Sequence, residues 1–309
     1  MATMSVGRAN SDTDAALVPR GWLDTVKVFV ELTKPRIMVL LLFTAFAAAI
    51  VARGGLPSLK ETLVLLIGLA LSTGGAAAVN MWFDRDIDAV MSRTAKRPLP
   101  TGQVSATATL VYGIVLGVLS IVVLAVFANP LSALLSTAGY IYYAVIYTMW
   151  LKRSTPQNIV IGGGAGAFPP LVGWAVVTGN VSLTAWAMFA IVFFWTPPHF
   201  WALALYKNAD YVRAGIPMMP AVRGPRTTKR QCVGYAILLL AVSLVPYFTG
   251  SVHFWYVPTA SFVGLVFLAA NVCMWREADD STVWAKRTFL WSLLDLPALF
   301  TLLVVASVI

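Results

Sequence analysis

Charge is what this 309-residue sequence has least of: 13 acidic and 22 basic residues make up 11% of the chain, less than half the roughly one quarter usual in soluble domains. Hydrophobic residues reach 59%, more apolar surface than a soluble core of this length can hide. The net charge of +9 would suggest nucleic acid in a soluble protein. Here the basic residues lie in short segments between apolar runs and read as topology signals, so no nucleic-acid partner is expected. Cysteine is also scarce. Cys232 and Cys273 each sit at the margin of an apolar run, without the spacing of a metal site or a disulfide framework. The first 36 residues carry Asp12, Asp14, Asp24 and Glu31 and no apolar stretch before Ile37, a pattern that fits neither a signal peptide nor a transit peptide. An amphipathic helix over residues 22–31 is expected to approach the membrane surface.

What the sequence has in abundance is long uncharged runs, and a helix needs about 20 residues to cross a bilayer. Residues 37–52 and 62–83 give one crossing each. The run 98–151 is too long for one and carries a turn signal at Asn129-Pro130; likewise 154–206 breaks at 178–180, and 231–275 breaks near 250–253. Residues 288–309 supply the last crossing. The expected fold is therefore all-α, with nine transmembrane helices and the termini on opposite sides. Residues 1–36 form a cytoplasmic N-terminal segment and residues 37–309 one membrane domain. With the N-terminus inside, 20 of the 22 Lys and Arg residues fall on the cytoplasmic side, and only Arg53 and Lys60 fall outside.

The second run ends in Asn80-Met-Trp-Phe-Asp84-Arg-Asp-Ile-Asp88. Asn80, Asp84 and Asp88 are four apart, so on a helix they form a stripe rising about 6 Å per step and drifting about 40°, while Asp86 points nearly the other way. Carboxylates on successive turns repel unless a cation lies between them. Oxygen donors of this kind suit Mg2+, which takes one or two carboxylates with phosphate oxygens and water. Arg93, Lys96 and Arg97 follow and could hold an anionic diphosphate. An ordinary solvated loop is the alternative, but three of the 13 acidic residues fall in five positions at a membrane boundary. In the sixth crossing, the second half of the run 154–206, Pro197 and Pro198 are expected to break or kink the helix and so to imply a cavity. His199 comes directly after them, an ionisable ring in an apolar segment, and is either functional or a packed structural histidine. The run ends in Tyr206, Lys207, Asp210 and Tyr211. The second and sixth crossings thus look like a weak internal repeat. Gly162-Gly-Gly-Ala-Gly166 and Ser72-Thr-Gly-Gly-Ala-Ala-Ala78 allow close helix packing; the glycine run could instead leave room for a porphyrin.

Asn-x-x-x-Asp-x-x-x-Asp closing the second run resembles the first signature of the UbiA superfamily of intramembrane prenyltransferases. Asp84-Arg-Asp-Ile-Asp88 with Met91-x-Arg93-Thr-x-x-Arg97-Pro98-Leu-Pro100, and Trp195-Thr-Pro-Pro-His-Phe-Trp-Ala-Leu-Ala204 through Asp210-Tyr211-x-x-Ala-Gly-Ile-Pro-Met-Met-Pro220, are similar to its haem O synthase branch. The resemblance runs from about Thr33 to the end of the chain. It implies a UbiA-like bundle with its site at the cytoplasmic face of a bacterial cell membrane. It also implies Mg2+-assisted transfer of farnesyl from farnesyl diphosphate to a vinyl group of haem B, giving haem O for haem-copper oxidases. On that reading Asn80, Asp84, Asp88 and Asp210 hold metal, and Arg93, Lys96, Arg97 and Lys207 hold diphosphate. Asp84, Asp88 and His199 are catalytic, with His199 at the haem. Besides the two substrates and the lipid bilayer, haem A synthase or oxidase assembly proteins are candidate partners. Many UbiA relatives carry two spaced aspartates in the second signature, whereas here Asp210 stands alone. A prenyltransferase for quinone or chlorophyll precursors is the alternative within the chemistry. A transporter is the alternative outside it, although transporter sites lie near the midplane and these acids crowd one face. Reporter fusions are expected to place Arg97 and Arg226 in the cytoplasm and Ile309 outside. Both termini on one side would remove the nine-span topology.

Overall fold

The computed structural model describes residues 21–309, and among these residues the chain is helical, without strands. Residues 1–20, with Asp12, Asp14, Arg8 and Arg20, lie outside the described residues. Among the described residues eight helices are long and apolar enough to cross a membrane: Pro35–Arg53, Leu59–Phe83, Ala106–Phe127, Asn158–Thr178, Leu183–Tyr206, Met219–Phe248, Tyr256–Arg276 and Val283–Val308. The remaining expected crossing is composite. An α-helix, Pro130–Ile141, runs into a π-helix, Tyr142–Leu151, and the two halves together have the length of a span that neither has alone. Numbered in chain order these are the first to ninth spans, the composite one being the fourth, and the protein is an integral membrane protein.

The span ends follow from local chemistry. Ser58 and Glu61 form a reciprocal capping box at the start of the second span: the Ser58 hydroxyl accepts from the Glu61 N–H at 3.2 Å, and the Glu61 carboxylate accepts from the Ser58 N–H at 2.8 Å. The fourth starts with Asn129 capping and Pro130 at the first helical position, the turn signal of the sequence. Ahead of the first span, Trp22–Leu32 forms a short helix that buries Val28 and Leu32 against Ala78 and Met81, leaving Trp22, Leu23, Val26 and Val30 exposed. That two-sided pattern is what an interfacial helix requires.

Of a break or a kink at the two prolines of the sixth span, the structure excludes the break. The sixth span is not broken at Pro197-Pro198; it runs as one helix from Leu183 to Tyr206 with both prolines inside. Each proline removes the donor that would have served the carbonyl four residues earlier, so bonds are lost without ending the helix, which neighbouring spans hold in place. Ahead of the seventh span's uncharged part, the chain from Met219 to Ser243 is helical on both sides of a kink at Gly224, whose φ of 79° and ψ of 161° are not helical, and the longer helix resumes at Pro225. Its polar turn is tied down by Lys229, which is fully buried and donates to the Ala278 and Ser281 carbonyls at 2.8 and 3.2 Å in the loop between the eighth and ninth spans.

The spans pack as neighbours: second on third, first on fifth, sixth on seventh, eighth on ninth. The ninth also packs on the sixth and the first, which brings the two ends of the membrane domain together. The largest core lies here, with Trp195, Ile191, Leu171, Leu296 and Phe300 among its buried members. Small residues set the closest approaches. A Cβ on Gly173 would collide with the backbone carbonyl oxygen of Ala45 on the first span. Within the glycine run, Gly162 receives the ring of Tyr147, Gly163 the methyl of Thr196 and Gly164 the ring of Tyr142, so packing fills these positions; Gly166 has nothing within 4 Å. Gly173→Ala is therefore expected to push the first and fifth spans apart and destabilise the protein by about 1–3 kcal/mol, while Gly166→Ala leaves it nearly unchanged. Thermal unfolding of the two variants in detergent checks this, and equal midpoints would contradict it.

Candidate active site

The second span carries its acidic residues past its own end. The helix stops at Phe83, Asp84 adopts the cap conformation, and a short helix, Arg85–Val90, continues. The four-residue bonding survives the join: the Asp84 N–H donates to the Asn80 carbonyl at 2.9 Å and the Asp88 N–H to the Asp84 carbonyl at 2.8 Å. Asn80, Asp84 and Asp88 consequently share a face and are all buried, with Asp84 completely inaccessible. Asp86 faces out, at 60% side-chain exposure, in a bidentate pair with Arg153 at 2.7 Å to each oxygen; that guanidinium holds the Asp86 carboxyl below the usual range.

Each buried carboxylate has a cation. Arg97 pairs with Asp88 at 2.6 Å, and Lys152, at the end of the fourth span, pairs with one oxygen of Asp84. Asn80 is the hub of the group. Its amide N–H donates to Asp84 at 2.8 Å and to the Thr148 hydroxyl at 3.0 Å, and its amide oxygen accepts from Lys34 at 2.5 Å. Lys34 also reaches the Tyr143 hydroxyl at 3.3 Å, and Tyr143 stacks on Tyr147 with centroids 5.7 Å apart. Burial holds the Lys34 ammonium well below the usual lysine range, and the Arg97 and Lys152 charges push the same way. Lys34, Arg97, Lys152 and Arg153 outnumber the carboxylates they surround. Such an excess of cations in a desolvated corner favours a polyanionic ligand.

The other residues expected from sequence are distributed around this centre. Arg93 is exposed on the loop after the second span, close enough to Tyr211 for its charge to act on that hydroxyl. Lys96 is exposed on the same loop. Lys207 lies over the Tyr206 ring, 5.7 Å from its centroid, at the end of the sixth span. Asp210 accepts from the Ser92 hydroxyl and pairs with Arg213, and its carboxyl is held below the usual range chiefly by Ser92. Among the described residues no three His, Cys, Asp or Glu side chains come together as a metal cluster, so Asp84, Asp88 and Asp210 do not form one. His199 is buried deeper in the bundle, with Nδ1 2.6 Å from the Ser292 hydroxyl of the ninth span. Sequence reasoning missed Lys34, Tyr143, Thr148, Lys152 and Arg153. The basic three of these had been read only as topology signals, and their place at the same membrane edge as Asp84 was the available clue.

A divalent cation is tested by the atoms present. The Asp84 Oδ1 atom is buried and has no hydrogen-bond partner among the described residues. An anionic oxygen in that state is one a cation would satisfy, and two carboxylates with an amide oxygen make a hard, all-oxygen donor set. The residues fit Mg2+.

A helical membrane bundle with buried aspartates ringed by cations at one edge defines a class, and sequence comparison agrees: the chain belongs to the UbiA prenyltransferase family, whose pattern matches residues 41–293. Within that family its relatives are more particular. It is 54% identical to a protein named protoheme IX farnesyltransferase from Symbiobacterium thermophilum, over 89% of this chain and 92% of that one. It is 47% identical to one of the same name from Rhizobium rhizogenes, over 90% and 87%. A third, from Chloroflexus aurantiacus, is 48% identical over 92% of this chain, which spans about half (48%) of that protein's length. Among solved structures, a digeranylgeranylglyceryl phosphate synthase shares the fold with a TM-score of 0.78 at 15% identity, covering 92% of this chain and 99% of that one. A UbiA homolog from Archaeoglobus fulgidus bound to DMAPP and Mg2+ does so at 0.63 and 17%, covering 89% and 98%.

Asp84→Ala and Asp88→Ala are each expected to lower turnover at least about 100-fold with membrane insertion intact, since each strips a buried ligand from a charge-balanced site. Lys152→Met should also impair it severely, because Asp84 loses its cation. Asp86→Ala should retain most activity. Turnover normalised to inserted protein checks the series, and equal loss from all three aspartates would undo the helical-phase argument.

Proposed function

We propose that the protein transfers the farnesyl group of farnesyl diphosphate to a vinyl group of protohaem IX (haem B), giving haem O for haem-copper oxidases. The observation that carries the chemistry is the buried Asp84–Asp88 pair ringed by Lys34, Arg97 and Lys152. The name shared by relatives 47–54% identical over most of the chain supports haem as the acceptor.

Asp84 and Asp88 would hold Mg2+, with Asn80 as a further oxygen donor. When bound there, the ion supplies Lewis-acid charge beside the diphosphate, as the Mg2+ and DMAPP in the Archaeoglobus fulgidus homolog suggest for this fold. Lys34, Arg97 and Lys152 would bind the diphosphate oxygens, with Arg93, Lys96 and Lys207 supplying positive charge from the loops. These cations stabilise negative charge as the C1–O bond breaks and diphosphate leaves with the electron pair. The Tyr143 and Tyr147 ring faces lie beside the cluster, where positive charge develops on the allylic carbon. The vinyl group attacks that carbon, and the resulting cation takes the oxygen of a water, which releases a proton. Burial of the cluster keeps bulk water from capturing the farnesyl cation first. Asp210 fits better as a tie between the loops than as a metal ligand, since Ser92 and Arg213 occupy it.

The charge asymmetry supports a cytoplasmic N-terminus and an outside C-terminus, with the site at the cytoplasmic face of a bacterial inner membrane and residues 1–36 as a cytoplasmic segment ahead of the 37–309 membrane domain. Haem A synthase or oxidase assembly proteins would then receive the product. Purified protein given farnesyl diphosphate, haem B and Mg2+ is expected to yield a more retentive, farnesylated haem on reversed-phase chromatography. Chelation of Mg2+ should abolish the product and re-addition restore it. Unmodified haem alongside prenylation of a quinone precursor would reassign the acceptor.

A further inference from the structure

The sixth and ninth spans hold a second polar group, which no hydrogen bond or ion pair links to the acidic cluster among the described residues. At its centre the His199 imidazole stacks on Trp195, centroids 4.2 Å apart and planes 18° from parallel. Phe289 packs at 4.9 Å and the edge of Phe200 at 5.0 Å. Trp195 is itself fixed, its indole N–H donating to the Ser292 carbonyl at 3.0 Å. The ring is thus oriented by packing, and one hydrogen bond settles its chemistry.

His199 Nδ1 lies 2.6 Å from Ser292 Oγ, and that oxygen lies 2.5 Å from the Phe289 carbonyl oxygen one turn back. Two oxygens so close repel unless a proton lies between them, and the serine hydroxyl has only one to give. With that proton committed to Phe289, Ser292 Oγ can only accept, so Nδ1 carries the ring hydrogen and Nε2 the lone pair. The opposite arrangement would set two oxygens against each other and leave an Nε2–H donor without an acceptor. Nε2 has no hydrogen-bond partner among the described residues, nor is it among their buried polar atoms that lack one. It is the ring nitrogen an incoming group can reach.

We propose that Ser292 is a positioning residue that locks His199 in the Nδ1–H tautomer and so presents Nε2 as an electron-pair donor to the iron of the haem acceptor. This rests on the haem-acceptor reading above. The arrangement is what metal-binding histidines use: one nitrogen donates to a protein oxygen, and the other is free to ligate. Axial coordination at Nε2 would fix the porphyrin plane relative to the sixth span, and with it the position of the vinyl group.

The chain has two histidines, so His253→Gln leaves His199 alone to be read by 15N NMR of histidine-labelled protein. The expected spectrum shows a protonated Nδ1 and an unprotonated Nε2; a dominant Nε2–H form overturns the proposal without reference to haem. The pair Ser292→Thr and Ser292→Val compares a hydroxyl with a methyl at equal volume. Threonine should keep the tautomer and the absorption spectrum of nitrogen-ligated haem. Valine should lose both and weaken haem binding by about 10- to 100-fold, with farnesyl diphosphate binding retained. Equal haem affinity in the two variants overturns the role of Ser292. Unchanged haem affinity and spectrum in His199→Ala overturns His199 as the ligand, whatever its tautomer. Should Ser292→Val fail to fold, the tautomer of the His253→Gln protein still decides.

Discussion

A carboxylate with no access to water is the constraint from which the site follows. Asp84 is completely buried at a membrane edge, and an isolated charge there would be prohibitively costly. Its neighbours are therefore not optional: Asn80 donates from one turn back, Lys152 arrives from the fourth span, and Arg153 approaches Oδ1 to 3.7 Å. Lys34 completes the ring, and its backbone sits at φ 53°, the left-handed region that costs a side-chain-bearing residue about 1–2 kcal/mol. A strained residue whose side chain is aimed at the site's hub is a mark of functional geometry rather than of folding alone.

The fourth span shows what meeting that constraint requires of a helix. Tyr143 and Lys152 are nine residues apart, and at about 100° per residue an α-helix would set them on opposite faces. Both nevertheless reach the cluster, as does Thr148. The π-helix makes this possible by using more residues per turn, and its signature is present: the Lys152 N–H donates to Tyr147 and the Thr148 hydroxyl to Tyr143, each five residues back. A wider helix needs lateral room for its rings. Gly162 and Gly164 of the fifth span give that room to Tyr147 and Tyr142, so the glycine run serves the acidic cluster through the fourth span.

This also explains what the sequence could and could not say. Periodic four-residue spacing made the Asn80, Asp84 and Asp88 face and the outward turn of Asp86 readable, because the second span is α-helical and its bonding continues across the cap. Uncharged runs made the crossings readable, because length and hydropathy are the whole requirement. Lys152 and Tyr143 were hidden because α-helical phase puts them apart, and a π-helix has no sequence signal of comparable strength. Lys34 was hidden because its role depends on a left-handed backbone and on a partner 46 residues away. Of a break or a kink at Pro197-Pro198, the break did not form, since prolines remove donors locally while packing against the seventh and ninth spans holds the helix continuous.

The sixth span is then a ruler between two chemistries. From His199 to Tyr206 is seven residues of unbroken helix, about 10 Å along its axis. At the far end Tyr206 lies within the field of Arg93, and just beyond it Asp210 ties this span's loop to Ser92 in the loop after the second span. Phe289 of the ninth span touches both levels, packing on the His199 and Tyr206 rings. A charged head held at the membrane edge and a planar acceptor held one to two turns deeper would meet along this stretch. Pro197 and Pro198 lie before His199, so the stretch from His199 to Tyr206 is plain α-helix on the far side of the missing donors, and helical rise would set the distance between an acceptor held at His199 and a head group held at the membrane edge.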